Sequence, residues 1–231
     1  HLRYSIAGTE KPWLFYREAY EEKLKPLDRR YDLSWYKRVV REKLYTPLTQ
    51  NGIRLVLMIV PDKDTLYTEY LPEDRRQALE AFNHVDQFME YMKQEFPELE
   101  IYYAKEDMLK AKEQGLPLYY ASDSHWNFPG AGACGEGLMR FLGEGYQLEE
   151  KPEIRYTLTG ETTAGDLQTM EGLDESFNRV EYQAEGTWEA EKTYSYSDPA
   201  TGEEIYAVFN SKDERALQKK LYFCGDSYRW Y

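Results

Sequence analysis

Residues 53–61 read IRLVLMIVP, an apolar run closed by a proline. A run this short and apolar is the pattern of a strand buried on both faces, as in a parallel sheet. Such a strand needs helices on either side of it. The neighbouring sequence supplies them. LSWYKRVVREKLYTPLTQNG (33–52) has helical spacing and stops at Asn51-Gly52. Residues 73–97 predict one amphipathic helix, with Ala81, Val85, Phe88 and Met92 along a face. LEIYYA (99–104) predicts a second strand, KEDMLKAKEQG a short helix ended by Gly115, and LPLYYAS (116–122) a third strand. Helical patterning resumes in PGAGACGEGLMRFLGEG. The order strand, helix, strand, helix, strand, helix predicts an α/β sandwich with a mostly parallel sheet.

The chain reads as a single domain over 1–231, opened by an aromatic cluster at Trp13, Phe15, Tyr16 and Tyr20. From 150 to 204 it turns polar and insertion-like, with room for hairpins. EEIYAVFN (203–210) and LYFCGDSYRWY (221–231) predict further strands, the second of them buried.

A net charge of −13 argues against nucleic acid and anionic membrane surfaces as partners, since both need clustered Lys and Arg. Sugars, neutral small molecules and basic proteins stay open. Cys134 and Cys224 either pair or remain separate buried thiols. No run of about 18 apolar residues predicts a membrane span.

Two short stretches can carry chemistry. DSHW places Asp123 two residues before His125 at a predicted strand end, where alternate side chains share a side. A carboxylate that orients an imidazole makes a general base. The same pair could be half of a metal site, or His125 could be a hydrogen-bonded structural residue. The other histidines are His1, at the start of the chain, and His84, within the predicted helix. GDSY places Ser227 after an apolar run, where α/β folds present reactive groups, and its backbone N–H could hold an oxyanion. Tyr120 and Trp126 are weaker candidates for substrate contact, with core packing as the competing role. No metal site or cofactor is predicted.

YYASDSHWNFPGA resembles the Asp-x-His-Trp signature of the alginate O-acetyltransferase family, SGNH-hydrolase-like proteins that include AlgJ and AlgX, and of the related Asp-His-His-Trp proteins. KPWLFY, LVLMIVPDKDTLYTEYLP and TAGDLQTMEGL resemble further family segments, in matching order over most of the chain. The resemblance implies an SGNH-hydrolase-like three-layer sandwich with permuted motif order, in which the Asp-x-His motif precedes the serine. It implies Ser227 as nucleophile, His125 as base and Asp123 as its partner. It implies transfer of acetyl groups to hydroxyls of a secreted or cell-surface polysaccharide, with a membrane-bound acyltransferase as acetyl donor. The implied location is periplasmic or extracellular, with an anchor on a segment outside this chain. Ser124, where relatives often carry Thr or His, is expected to point away from the site. The chain stops four residues after Ser227, so a truncated C-terminal part is expected. A carbohydrate acetylesterase would use the same residues, and a non-catalytic polysaccharide-binding or assembly component would keep the fold.

Overall fold

The computed structural model describes residues 2–143, 154–186, 190–202, 204–212 and 220–226. The chain opens with a small antiparallel pair, β1 (Ser5–Ala7) and β2 (Leu14–Tyr16), and runs directly into α1 (Arg17–Lys23). Helical turns follow as α2 (Ser34–Val39) and α3 (Thr46–Gln50), joined by π-helical turns at Val40–Tyr45. The apolar run forms β3 (Val56–Ile59), and α4 (Lys63–Leu66) begins just past its proline. Next come α5 (Glu73–Ala81), α6 (His84–Glu95), β4 (Glu100–Tyr103), α7 (Lys105–Glu113) and α8 (Phe128–Leu142). Beyond them lie β5 (Ile154–Thr163), α9 (Asp166–Glu171), β6 (Arg179–Gly186), β7 (Ala190–Ser197) and β8 (Glu204–Ser211).

β3 and β4 pair in parallel, with Leu57 beside Ile101 and Met58 beside Tyr102. Because side chains alternate along a strand, the pair feeds two cores. Val56, Met58 and Tyr102 pack with Leu66, Met108, Leu118, Trp126 and Cys134 on one face. Leu57 and Ile101 pack with Leu33, Val40, Met92 and Phe96 on the other. Helices thus cover both faces of the parallel pair, as the apolar run requires. Every β3 residue is half-buried rather than fully enclosed, since β4 is the one described strand paired with it.

Several expectations are corrected. The parallel pairing among the described residues is confined to β3–β4; the other strand pairs are antiparallel. The helix predicted over 73–97 is two helices. Asn83 adopts an extended backbone, and its side chain accepts the Val85 N–H at 2.9 Å, starting α6 afresh. The strand predicted over 116–122 reduces to one antiparallel bridge, Tyr119 to Trp126. Its backbone groups are used elsewhere: Leu118 N–H donates to the Tyr67 hydroxyl, and Ala121 C=O accepts from Leu14 N–H. The last predicted strand is also absent over its described part. Residues 220–226 are irregular, and Leu221, Tyr222 and Phe223 are 65%, 69% and 50% exposed. An apolar run signals a need for burial without specifying a partner, and no described strand pairs with this one. The polar stretch after 150 does hold hairpins: β5 with β6, and β7 with β8, the latter matching the strand predicted at 203–210. Cys134 is buried and Cys224 exposed, and the two do not pair. No described helix is long and apolar enough to cross a membrane.

Candidate functional site

The site forms where the chain leaves the core at Leu118–Tyr120 and turns into α8. Asn127 caps α8 by accepting the Gly130 N–H at 3.0 Å. A β-carbon on residue 130 would fall 3.0 Å from the Leu118 carbonyl carbon and nearer still to its oxygen. The absence of one lets helix and preceding chain meet. The loop held between them carries Asp123, Ser124 and His125.

Lys63 supports that loop from beneath. Its ammonium is buried and donates to the carbonyls of Tyr120 (3.0 Å), Ala121 (2.8 Å) and Asp123 (2.6 Å). Burial lowers its pKa to about 7, against the opposing charges of Asp123, Asp166 and Asp64.

Asp123 and His125 meet as expected, but through a tighter local device than a strand. Asp123 Oδ1 accepts the His125 backbone N–H at 2.9 Å, an Asx-type turn, and lies 2.9 Å from His125 Nδ1. Asp123 Oδ2 accepts the Asp166 N–H at 2.9 Å and the Arg179 guanidinium at 2.5 Å. Burial opposes ionisation of Asp123. The hydrogen bonds from His125 and Asp166 and the Arg179 charge outweigh it, holding the carboxyl well below the usual carboxylate range. The bond to Asp123, followed by that to Asp166, raises the His125 imidazole to about 9 against burial.

Ser124 corrects an expectation. Its side chain does not point away: Oγ bonds Asp166 Oδ2 and lies 3.3 Å from His125 Nδ1. Its backbone N–H also donates to Asp166 Oδ1, at 2.6 Å. The residue is pulled inward because Asp166 supplies acceptors for both its backbone and its hydroxyl.

Tyr120 is buried, with Arg179 stacked 4.3 Å from its ring centroid and its hydroxyl donating to Glu181 at 2.9 Å. It lines one side of a groove of about 220 Å³ shared with Pro12, Arg179 and Tyr182. Trp126 is buried in the core, so its ring face is packing rather than a platform for a sugar. His84 is the first residue of α6, and burial lowers its pKa. Ser227, the predicted nucleophile, and its backbone N–H lie outside the described residues.

Lys63, Asp166, Arg179 and Glu181 have no role in the sequence reading. Asp166 belongs to TAGDLQ, which resembles a family segment, and Lys63 to the Pro-x-Lys stretch, so the positions were visible without their chemistry. Asp123, His125 and Asp166 bring donor atoms within 4.8 Å of one another, close enough for a metal ion. Yet both Asp123 oxygens already accept hydrogen bonds, and one of them faces the Arg179 cation. The arrangement suits a protonated imidazole better than a divalent cation.

The chain is an α/β protein of SGNH-hydrolase-like fold. It superposes on the O-acetyltransferase domain of Pseudomonas putida AlgJ with a TM-score of 0.50 at 23% identity, covering 79% of this chain and 64% of that one. It superposes on Bacillus cereus PatB1, solved with a sulfonyl adduct, with a TM-score of 0.55 at 12% identity, covering 91% and 65%. At these identities the likeness is one of fold. A family model, the SGNH hydrolase-like domain of the acetyltransferase AlgX, matches residues 6–227, and the chain belongs to that family. Probable alginate O-acetylases AlgJ from Pseudomonas putida and Pseudomonas syringae pv. tomato are 30% and 31% identical over 141 and 139 residues. Each match covers 58% of this chain and 34% of the relative, so the chain spans about a third of their length.

Proposed function

We propose that this chain carries the Asp-His part of an O-acetyltransferase site acting on hydroxyls of a secreted or cell-surface polysaccharide. The observation that carries the reading is the Asp123–His125 pair: an ionised carboxylate 2.9 Å from Nδ1 of an imidazole whose pKa is raised. Nδ1 faces acceptors and so carries the proton, which leaves Nε2 as the basic nitrogen. The family match and the AlgJ relatives support acetyl transfer as the chemistry.

In the proposed mechanism Nε2 takes the proton of the Ser227 hydroxyl as its oxygen attacks the acetyl carbonyl of a donor. A tetrahedral oxyanion forms, with the Ser227 backbone N–H as one donor to it. Its collapse expels the donor's leaving group, which takes the proton from Nε2 and leaves acetyl-Ser227. A sugar hydroxyl then loses its proton to Nε2 and attacks the acetyl-serine, and Ser227 regains its proton. Water in place of the sugar would give an esterase. In keeping with the family resemblance, the donor would be supplied by a membrane-bound acyltransferase, with the domain in the periplasm or outside the cell.

The test is intact-mass spectrometry of the parent protein after a pulse of an activated acetyl ester. One acetyl adduct on Ser227, absent from Ser227→Ala and His125→Ala, is the expected result. A folded protein that never acquires the adduct would refute the covalent route.

A further inference from the structure

We propose that Asp166 is a second carboxylate partner of His125, set against Nδ1 by the Ser124 hydroxyl, and that it serves as a positioning residue for the base. Its role in turnover rests on the acetyltransferase reading; its hold on the imidazole does not.

The two oxygens of Asp166 do different work. Oδ1 accepts the backbone N–H groups of Ser124 and Leu167, each at 2.6 Å, which is a loop-and-helix-start role. Oδ2 takes no described backbone donor. It accepts the Ser124 hydroxyl and lies 3.3 Å from His125 Nδ1. Because the Ser124 proton is directed at Asp166, Ser124 Oγ does not donate to the ring. Nδ1 therefore faces carboxylate oxygens on two sides, and both require it to carry a hydrogen. One acceptor fixes a direction for the N–H; two acceptors from separate segments also fix the plane of the ring.

Two adjacent carboxylates repel, and one would ordinarily take up a proton. Here Arg179, from the start of β6, meets Asp123 Oδ2, and the Asp166 amide donates to that same oxygen. Among the described residues, the groups facing the imidazole are Asp123 and Ser124 from its own loop, Asp166 from α9, and Arg179 acting through Asp123. Glu181 pairs with Arg179 at 2.9 Å, and Lys63 lies under the loop carbonyls. Proton uptake at Nε2 places a cation between two anions, which favours the imidazolium that a general base must become.

The experiment follows the ring nitrogens of His125 by ¹H–¹⁵N correlation during pH titration, in wild type, Asp166→Asn and Asp166→Ser. Asparagine retains an oxygen for the two backbone donors, and serine can accept from them if the asparagine variant fails to fold. In either folded variant the His125 pKa should fall by about one unit or more, with Asp123 still holding the Nδ1–H. The acid limb of kcat/KM should move by the same amount, which a merely structural loss would not do. A His125 pKa within about 0.3 unit of wild type in both folded variants overturns the proposal, even if activity drops. If wild type never forms acetyl-Ser227, the reading of the reaction falls, and the titration still decides whether Asp166 holds His125.

Discussion

Replacing Gly165 by alanine tests how closely α9 must approach the histidine loop. Its backbone is extended, with φ −73° and ψ 161°, so the residue is tolerable to any side chain on conformation alone. The obstacle is proximity. A β-carbon there would lie 2.7 Å from the Ser122 carbonyl carbon, 3.1 Å from the Asp123 nitrogen, and closer still to the Ser122 oxygen. All three are backbone atoms, so no side chain can rotate away. Relief requires α9 and the loop to separate by about 1 Å, since a carbon–oxygen contact needs roughly 3.3 Å. That opening would stretch the 2.9 Å bond from Asp166 N–H to Asp123 and the 3.2 Å bond from Gln168 N–H to Ser122. Overpacking of this kind costs about 1–3 kcal/mol, and a weakened bond to a carboxylate adds about 1.5, so a loss of about 2.5–4.5 kcal/mol is expected. Urea denaturation measures it. Gly135→Ala in α8 is the control, because a β-carbon there meets no neighbour within 4 Å. It should stabilise the helix by up to about 1 kcal/mol. A Gly165→Ala protein as stable as wild type would show that the loop and α9 are not in the contact described.

Lys63→Met should destabilise the protein by about 3 kcal/mol in urea, because the loop carbonyls lose a charged donor; a change under about 1 kcal/mol would mean that relief of the buried ammonium compensates. His125 supplies a pH dependence. Its folded pKa of about 9 lies above the ordinary 6.5, so its contribution is complete below about pH 6.5 and is lost as pH rises through 9. The shift corresponds to about 3 kcal/mol, read as the stability change between pH 6 and pH 10 that His125→Gln abolishes; equal profiles for the two proteins would remove the assignment. The neutral imidazole is the proposed base, so kcat/KM should climb from pH 7 toward 9. A flat profile over that range would contradict it.

The parts of the molecule legible in the sequence are those governed by local periodicity. The run at 53–61 yields β3, and DSHW yields the Asp123–His125 contact, because a two-residue spacing leaves little choice. The helix boundary at Asn83 was hidden because apolar spacing continues through it, while a capping side chain decides the break. Asp166 reaches Ser124 across 42 residues and Arg179 reaches Asp123 across 56, between segments without a shared pattern. No local rule reports such meetings. The run at 221–223 shows the converse: local apolarity is plain, yet the side chains remain exposed where described.

The two halves of the histidine's surroundings differ in how replaceable they are. The loop bearing His125 is clamped between Leu118 and Gly130, with Lys63 below, and leaves no slack for insertion. Asp166 and Arg179 arrive from α9 and β6, beside a ribbon whose far end is solvent-exposed. A lineage could therefore lengthen or reshape the far end of that ribbon while Asp166 and Arg179, at its near end, still hold the imidazole in place. The core and the near end of the ribbon work as a fixed handle and the far end as a variable head, so divergence among related proteins should concentrate in the head.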